Sequence, residues 1–463
     1  MESIQASPNS DSIPLAKAEE QNLRMILKKF GLESVYPVAE DFYKDTEAKQ
    51  AQQRKLYFDL IRSNPQVAGY SFTSAVDGGY VGEGFLGFIR EFKKDQLEVI
   101  QQGWASLRWC MFASPAAIYA DEEITLEAVL ANEDVLDEGT YKATLTVFGD
   151  EGIVWRQKCT FDIQKEGDYL PLAVEVFREK VKIDGLKEGT YTFAAELTKG
   201  GYAVADRTTF TVKERVKTQR LSGTVYTFGE VDDGVLKLLR EYGAEVKELT
   251  LNSPQTDREV ILVGKTVTWS KSELSQLYRR IAAGSHAVFL YPAMLANETD
   301  LDYVKLGKTK KTAVNLMFEN STEKATLVRP WQWLYHTEAV AKPCPMLTGL
   351  DDRGIMDIEF YSSAVADRMF IEGMPLMPEE YGVVDIGIGN SVYDSGYSAG
   401  IVLGSFGFYS GSYTVSCFSL ADNIGQPGAD RLLVNIVARA AQLANAAQEV
   451  SQEAETAIRQ FFR

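Results

Sequence analysis

Near the start of the chain, apolar residues recur at the three- and four-residue steps of an amphipathic helix. Leu23, Ile26, Leu27 and Phe30 mark a helix over Ala16–Phe30, and Phe42, Ala48, Ala51, Leu56, Leu60 and Ile61 mark a longer one over Ala39–Ser63. Pro65 ends the second, because proline lacks an N–H and restricts the residue before it. The apolar run Val67–Phe72 then predicts a strand, which opens into a loop carrying Thr73, Asp77, Gly78, Gly79, Gly82, Glu83 and Gly84. Phe85–Ile89 leads to one more helix, Asp95–Gly103, marked by Leu97 and Ile100. Residues 1–13 are polar and rich in Ser and Asn, and read as a disordered tail.

From about Leu107 the period changes to two. Ile124, Leu126, Ala128 and Leu130 share one face, with Thr125 and Glu127 on the other. Two stretches echo each other, LDEGTYKATLTVF (Leu136–Phe148) and LKEGTYTFAAEL (Leu186–Leu197); each has a Glu-Gly turn, a Tyr and then alternation. Turn signals at short spacing and a last strand at Thr208–Val212 predict an antiparallel sandwich of immunoglobulin-like type. After a charged linker, Lys213–Thr218, strands alternate with helices. Strands are expected at Thr224–Phe228, Glu245–Leu249, Glu259–Val263, Ala287–Tyr291, Gly382–Ile386, Ala399–Gly404 and Tyr413–Phe418. Helices are expected at Asp233–Tyr242, at Lys271–Ala283 behind the capping box SKSE, and over most of Ala429–Phe462, whose Ala-rich part docks on the domain. This alternation predicts a doubly wound, flavodoxin- or amidotransferase-like α/β domain.

The 463 residues are 45% hydrophobic and 24% charged, enough apolar material for several cores. A net charge of −17 argues against nucleic acid or an anionic membrane as partner. No signal peptide or membrane-length apolar run is visible, so a cytoplasmic location is expected. The cysteines (Cys110, Cys159, Cys344, Cys417) show no metal-ligand spacing; buried thiols are the reading adopted, with a Cys110–Cys159 disulfide left open. His286 and His336 each lack a second ligand at metal spacing, so both read as structural, and neither a metal site nor a Ser-His-Asp site is expected. No cofactor is expected either: Gly223–Gly229 has neither dinucleotide nor Walker spacing.

The run FGLESVYPVAEDFYKDTEAKQAQQRKLYFDLIRSNPQVAGYSFTSAVDGGYVGEGFLGFIRE, followed by GWASLRWCMFASPAAIYADEEITLEAVLANEDVL, resembles the C-terminal part of glycoside hydrolase family 2-type proteins, of the β-galactosidase and β-glucuronidase kind. The resemblance covers roughly Phe30–Val212. It implies a multidomain α/β plus all-β chain: residues 14–104 as the end of a (β/α)8 barrel, residues 105–213 as the immunoglobulin-like sandwich, and residues 219–463 as an appended glutamine-amidotransferase-like domain, matched mainly by GQPGADRLLVNIVARA (Gly425–Ala440).

For chemistry, the resemblance implies a retaining β-glycosidase that hydrolyses O-glycosyl bonds with two carboxylates, on barrel strands four and seven. The expectation is that this chain begins after strand seven, so no catalytic residue is assigned and the chain alone is expected to be inactive. Glu33 aligns with a connecting segment and is not taken as a nucleophile. Thr73, Asp77 and Glu83 lie in the loop that lines the sugar pocket of a complete barrel and are the candidate substrate-binding residues. Gly78 stands where the family carries a His after the Asp, which weakens that assignment. In the amidotransferase-like domain the strand end HAVFLYPAMLA offers Tyr291 and Pro292 and no Cys nucleophile. Glycine-rich Gly387–Gly400 and Gly404–Tyr413 read as β-turns, and Trp331 and Trp333 read equally as sugar platforms or core anchors. The expected partners are a carbohydrate and a separate polypeptide carrying the rest of the barrel. The alternative is a stand-alone carbohydrate-binding or assembly module. In either case a lone barrel strand should leave an apolar surface around Val67–Phe72.

Overall fold

The computed structural model describes residues 13–463 apart from 78–81, 88, 200, 216–219, 266–268, 296–311, 320, 322, 329–336, 357–365, 367, 373–379 and 389–396. Two compact units emerge. One is built from Glu40–Arg215, the other from Pro14–Ala39, Val216–Met356 and Ser363–Arg463. Helix α1 (Ile13–Lys29) therefore belongs with the second unit.

The first unit opens with α2 (Ala39–Arg62) and continues through a long loop to α3 (Gln96–Gly103). Both helices match the sequence expectation. The strand expected at Val67–Phe72 does not form: the run is irregular, and the Val67 N–H turns back to the Asn64 carbonyl at 3.1 Å. A parallel strand needs ladder partners, and none pairs with this run among the described residues. Its aromatic side chains pack locally instead, with Phe58 5.9 Å from Tyr70 and 5.3 Å from Phe72, and Phe72 5.7 Å from Trp104. Large apolar groups are left in water nearby, including Tyr57 (55% exposed), Leu60 (56%) and Trp104 (48%).

Polar bonds fasten α2 to the strands that follow. Asp59, buried, takes an ion pair from Lys55 at 2.8 Å and another from Arg108, itself buried. Burial raises the Asp59 carboxyl, against the pull of Lys55 and Arg108. Arg62 donates to the Gly103 carbonyl at 2.8 Å and the Ala105 carbonyl at 3.1 Å, and pairs with Glu133 at 2.9 Å.

Period-two alternation becomes two sheets. β1 (Leu107–Ser114), β3 (Glu123–Asn132) and β6 (Ala173–Lys182) form a three-stranded sheet in the order β1-β3-β6. β2 (Ala117–Tyr119), β4 (Gly139–Gly149), β5 (Gly152–Ile163), β7 (Gly189–Leu197) and β8 (Arg207–Lys213) form a five-stranded sheet, β2-β8-β7-β4-β5. Pairing is antiparallel except between β2 and β8. Trp109, Leu126 and Leu130 from the first sheet share one core with Leu145, Phe193 and Phe210 from the second.

The sequence echo has a structural counterpart, because β4 and β7 lie side by side. The Tyr141 hydroxyl donates to the Asp137 carbonyl at 3.0 Å and the Tyr191 hydroxyl to the Lys187 carbonyl at 3.2 Å, each reaching back four residues. Each ring then stacks on the Phe opposite it in the next strand, Tyr141 on Phe161 at 5.9 Å and Tyr191 on Phe210 at 5.8 Å. Glu-Gly-Thr-Tyr is thus one corner used twice. Cys110 is buried in β1, which pushes its thiol up to about 12, and no disulfide forms among the described residues.

In the second unit, β9 (Thr224–Phe228), α4 (Asp233–Glu241), β10 (Glu245–Glu248), β11 (Val260–Val263), α5 (Lys271–Ala282) and β12 (His286–Phe289) follow one another. Then come β13 (Thr312–Val314), β14 (Ala325–Val328), β15 (Thr337–Ala341), β16 (Gly354–Ile355), β17 (Met369–Glu372), β18 (Glu380–Ile388), β19 (Tyr397–Phe408) and β20 (Gly411–Ser416). β10-β9-β11-β12-β20 is a parallel run, and β19 joins β20 antiparallel to begin a mixed extension. The architecture is mixed α/β here and β with flanking helices in the first unit. The Ser270 capping box forms as expected, with Glu273 N–H on Ser270 Oγ at 3.1 Å and Ser270 N–H on the Glu273 carboxylate at 2.9 Å.

The long closing helix is two, α6 (Pro427–Leu443) and α7 (Gln452–Phe461). The chain between them is extended because its polar groups are taken by other elements: Asn445 N–H bonds the Gly284 carbonyl and Ala447 N–H the Asp257 carboxylate, both at 2.8 Å. α6 packs on β11, β12 and β20, and α5 on β20 and α7. Among the described residues, no helix is long and apolar enough to cross a membrane.

His286 is buried within the parallel run. Its Nδ1 contacts Ser412 Oγ at 2.7 Å and its Nε2 contacts Thr414 Oγ1 at 2.9 Å. Burial, aided by Arg439, pushes the imidazole down from 6.5 to about 3. A depressed histidine favours the fold while neutral, so its contribution is complete above pH 6.5 and is lost as pH falls towards 3. Urea unfolding at stepped pH should show stability falling through this window by up to about 1.4 kcal/mol per pH unit. The His286→Gln protein should show a flatter acid limb; an unchanged limb overturns the assignment. In the first unit, Arg108→Met should cost about 3–5 kcal/mol by stranding Asp59, and adding Asp59→Leu should recover much of that loss. Additive losses in denaturant melts would show that the two do not act as a pair.

Candidate functional site

The loop after Phe72 is organised around Asp77. Asp77 Oδ1 accepts the Gly84 N–H at 2.9 Å and pairs with Lys93 Nζ at 2.9 Å, the lysine being almost fully buried. The main chain closes the same loop, with Asp77 N–H on the Leu86 carbonyl at 2.9 Å and Leu86 N–H on the Ala75 carbonyl at 3.0 Å. Gly84 is required there, since a Cβ would sit 2.6 Å from the Asp77 nitrogen. Burial raises the Asp77 carboxyl, while Lys93 and the Gly84 N–H pull it down.

Helix α2 braces the loop from below. Gln50 donates to the Gly82 carbonyl at 3.0 Å, and Lys93 reaches the same carbonyl at 2.9 Å. Arg54 donates to the Glu83 carbonyl and, at 2.5 Å, to Gln96 Oε1. Asp77 and the Glu83 main chain are thus brought into one assembly, while Thr73 stands exposed outside it. Glu33 is an exposed residue of a 3-10 turn in the second unit. Sequence reading missed Arg54 on α2, Lys93 at the far end of the same loop and Gln96 at the start of α3; the helical spacing of Gln50 and Arg54 was the available signal.

In the second unit the parallel strands deliver three polar residues from their carboxyl ends. Asp232 follows β9, Lys265 follows β11 and Tyr291 follows β12. Lys265 Nζ lies 3.0 Å from Asp232 Oδ1 and 4.8 Å from the centroid of the Tyr291 ring, and the Tyr291 hydroxyl donates to Asp232 Oδ2. Burial alone would raise Asp232, but the bonds from Tyr291 and Lys265 overturn it and hold the carboxyl below its ordinary range. Burial and the Asp232 carboxylate together raise the Tyr291 hydroxyl. The main chain is locked beneath them: Glu230 N–H meets the Lys265 carbonyl at 3.0 Å and Lys265 N–H the Glu230 carbonyl at 2.6 Å. Any Cβ on Gly264 would collide with that Glu230 carbonyl. Asp232 and Lys265 come shortly after the expected strands Thr224–Phe228 and Glu259–Val263, and Tyr291 ends the expected strand Ala287–Tyr291, but only the strand order brings the three together.

Gly404–Tyr413 forms the β19–β20 hairpin, with Phe406, Phe408 and Tyr413 buried, so its aromatic residues serve the core. Trp331, Trp333 and His336 lie outside the described residues, as does most of Gly387–Gly400. Among the described residues no cluster of His, Cys, Asp or Glu is arranged to hold a metal ion.

No protein-family model matches the chain, and no curated protein matches it. Among solved structures, 41 chains match. One is the alkylpurine DNA glycosylase AlkC of Pseudomonas fluorescens (13% identity, 26% of this chain and 36% of that chain, TM-score 0.18). Two others are a Bacteroides fragilis protein assigned as a beta-galactosidase (12%, 40% and 39%, TM-score 0.16) and the Parabacteroides merdae beta-glucuronidase (11%, 40% and 33%, TM-score 0.16). The chain spans between 33% and 39% of the length of these three structures. Superpositions this loose transfer no residue role.

Asp77→Ala removes the acceptor shared by Gly84 and Lys93. Bonds to a charged group contribute about 1.5–3 kcal/mol, so the Gly84 amide should exchange at least tenfold faster with hydrogen. Amide exchange at Gly84 that matches the parent protein would overturn the role of Asp77 as the loop's anchor.

Proposed function

We propose that this chain is a non-catalytic, sugar-facing portion of a glycoside hydrolase family 2-type protein, whose O-glycosyl hydrolysis belongs to a longer assembly. The observation that supports this most is the engagement of Asp77. A retaining glycosidase needs one carboxylate open to the anomeric carbon and a second that exchanges a proton with the leaving oxygen. Asp77 instead anchors its own loop through Gly84 and Lys93. Its role in this reading is to shape a pocket wall, with Glu83 and Thr73 offered to sugar hydroxyls.

The residues of the family resemblance fall on α2, the Asp77 loop, β1 and β3. In this reading the loop closes a barrel whose remaining units come from further polypeptide, the two-sheet region is immunoglobulin-like, and the α/β unit is an amidotransferase relative without its Cys nucleophile. The irregular run Val67–Phe72 becomes a strand only when that polypeptide pairs with it. The assembly is cytoplasmic.

Incubation of the purified chain with aryl β-glycosides tests the reading. No turnover above buffer is expected. Turnover that falls at least a hundredfold in Asp77→Asn or Glu33→Gln would establish a catalytic carboxylate here and overturn the proposal.

A further inference from the structure

The three strand ends of the second unit hold their polar groups in an arrangement that stability alone does not call for. Asp232 occupies the N-cap position of α4 in extended geometry (φ −59°, ψ 137°), yet its side chain makes no capping bond. Forgoing a cap costs about 1 kcal/mol. The carboxylate is directed to Lys265 and Tyr291 instead, and the side chains of Asp232 and Lys265 remain 36% and 35% exposed. Exposed ion pairs contribute about 0–1 kcal/mol, so this choice gains little for the fold.

Position adds to the argument. β9 connects to β10 on one side of the run while β11 leads to β12 on the other, so the carboxyl ends of β9 and β11 flank the point where the strand order reverses. The crevice outside such a point is where open parallel sheets place ligands. The same end of β9 carries Phe228 packed against Trp269 with the rings tilted by 35° and their centroids 4.5 Å apart, and the buried Trp269 indole N–H has no hydrogen-bond partner among the described residues.

We propose that Asp232, Lys265 and Tyr291 form a binding site for a neutral sugar, gripping a pair of adjacent ring hydroxyls. One hydroxyl donates to the Asp232 carboxylate, which has about four acceptor positions. The neighbouring oxygen accepts from the Lys265 ammonium, which sits 3.0 Å from Asp232. The Tyr291 hydroxyl fixes the carboxylate so that it is in place before the ligand arrives. Asp422, whose charge reaches the Tyr291 hydroxyl, biases the site against anionic sugars. The choice of a sugar rests on the carbohydrate reading above; the geometry itself asks for adjacent hydroxyls.

Saturation-transfer NMR on the full chain with methyl β-galactoside, methyl β-glucoside and methyl β-glucuronide tests the site. A neutral glycoside should bind, the glucuronide should bind more weakly, and Asp232→Asn or Lys265→Met should weaken binding at least tenfold. Tyr291→Phe keeps the ring and removes the hydroxyl, and should weaken binding less, with circular dichroism melts confirming that each variant folds. No binding of any glycoside, or binding unchanged in both Asp232→Asn and Lys265→Met, overturns the proposal. Binding lost only in Asp77→Asn also overturns it while leaving the glycosidase-portion reading standing; that reading fails separately, through aryl-glycoside turnover.

Discussion

Backbone N–H and C=O groups withdrawn from water must find partners, and most of this fold follows from how that demand is met. The segment VILV of β11 is buried throughout and is paired on both edges, by β9 and by β12. The segment VAGYSF at Val67–Phe72 has similar strand chemistry but no ladder, so it stays irregular and half in water. Strand propensity is a matter of context, and here the presence or absence of neighbours decides it. Once the ladder exists, its ends are fixed points, and everything that follows β9, β11 and β12 is positioned by it.

The helical and alternating periods were legible because they depend on residues close in sequence. Helix α2, the Ser270 capping box and strands β3, β4, β7 and β8 of the two-sheet core followed from spacing alone. The failures involve distant partners. Val67–Phe72 was expected to lack its neighbours yet still to form a strand, and without a ladder it stays irregular, while the break between α6 and α7 is enforced by Gly284 and Asp257 on remote turns. The candidate site divided in the same way. Asp77 and Glu83 announced themselves in a glycine-rich loop, whereas Lys93 and Arg54, which give Asp77 and the Glu83 carbonyl their roles, looked like ordinary surface charges. Asp232, Lys265 and Tyr291 required the strand order, which sequence does not state.

Polar burial is used for two distinct ends. Around Asp59, Arg62 and Arg108 it joins a helix to a sheet, where a missing partner would leave a charge stranded in the interior. Around His286 it is neutral and cooperative: Ser412, Thr414 and, at 2.7 Å from Thr414, Ser405 form a chain of hydroxyls through the centre of the sheet. The first arrangement specifies geometry through charge. The second makes the parallel run sensitive to acid without any exposed titrating group.

The paired corners at Tyr141 and Tyr191 carry a consequence for how the chain reaches this structure. Two nearly interchangeable sequences lie next to each other in one sheet, so a collapsing chain can seat either in the other's slot. The native slots differ in their outer neighbours, β5 beside β4 and β8 beside β7. They differ also at Gly149, where any Cβ would press within 2.9 Å of the Tyr191 ring. A swapped seating meets the wrong outer neighbours and loses that fit. Proofreading of strand order is therefore written into the borders of the repeat, since its centre is the same in both copies.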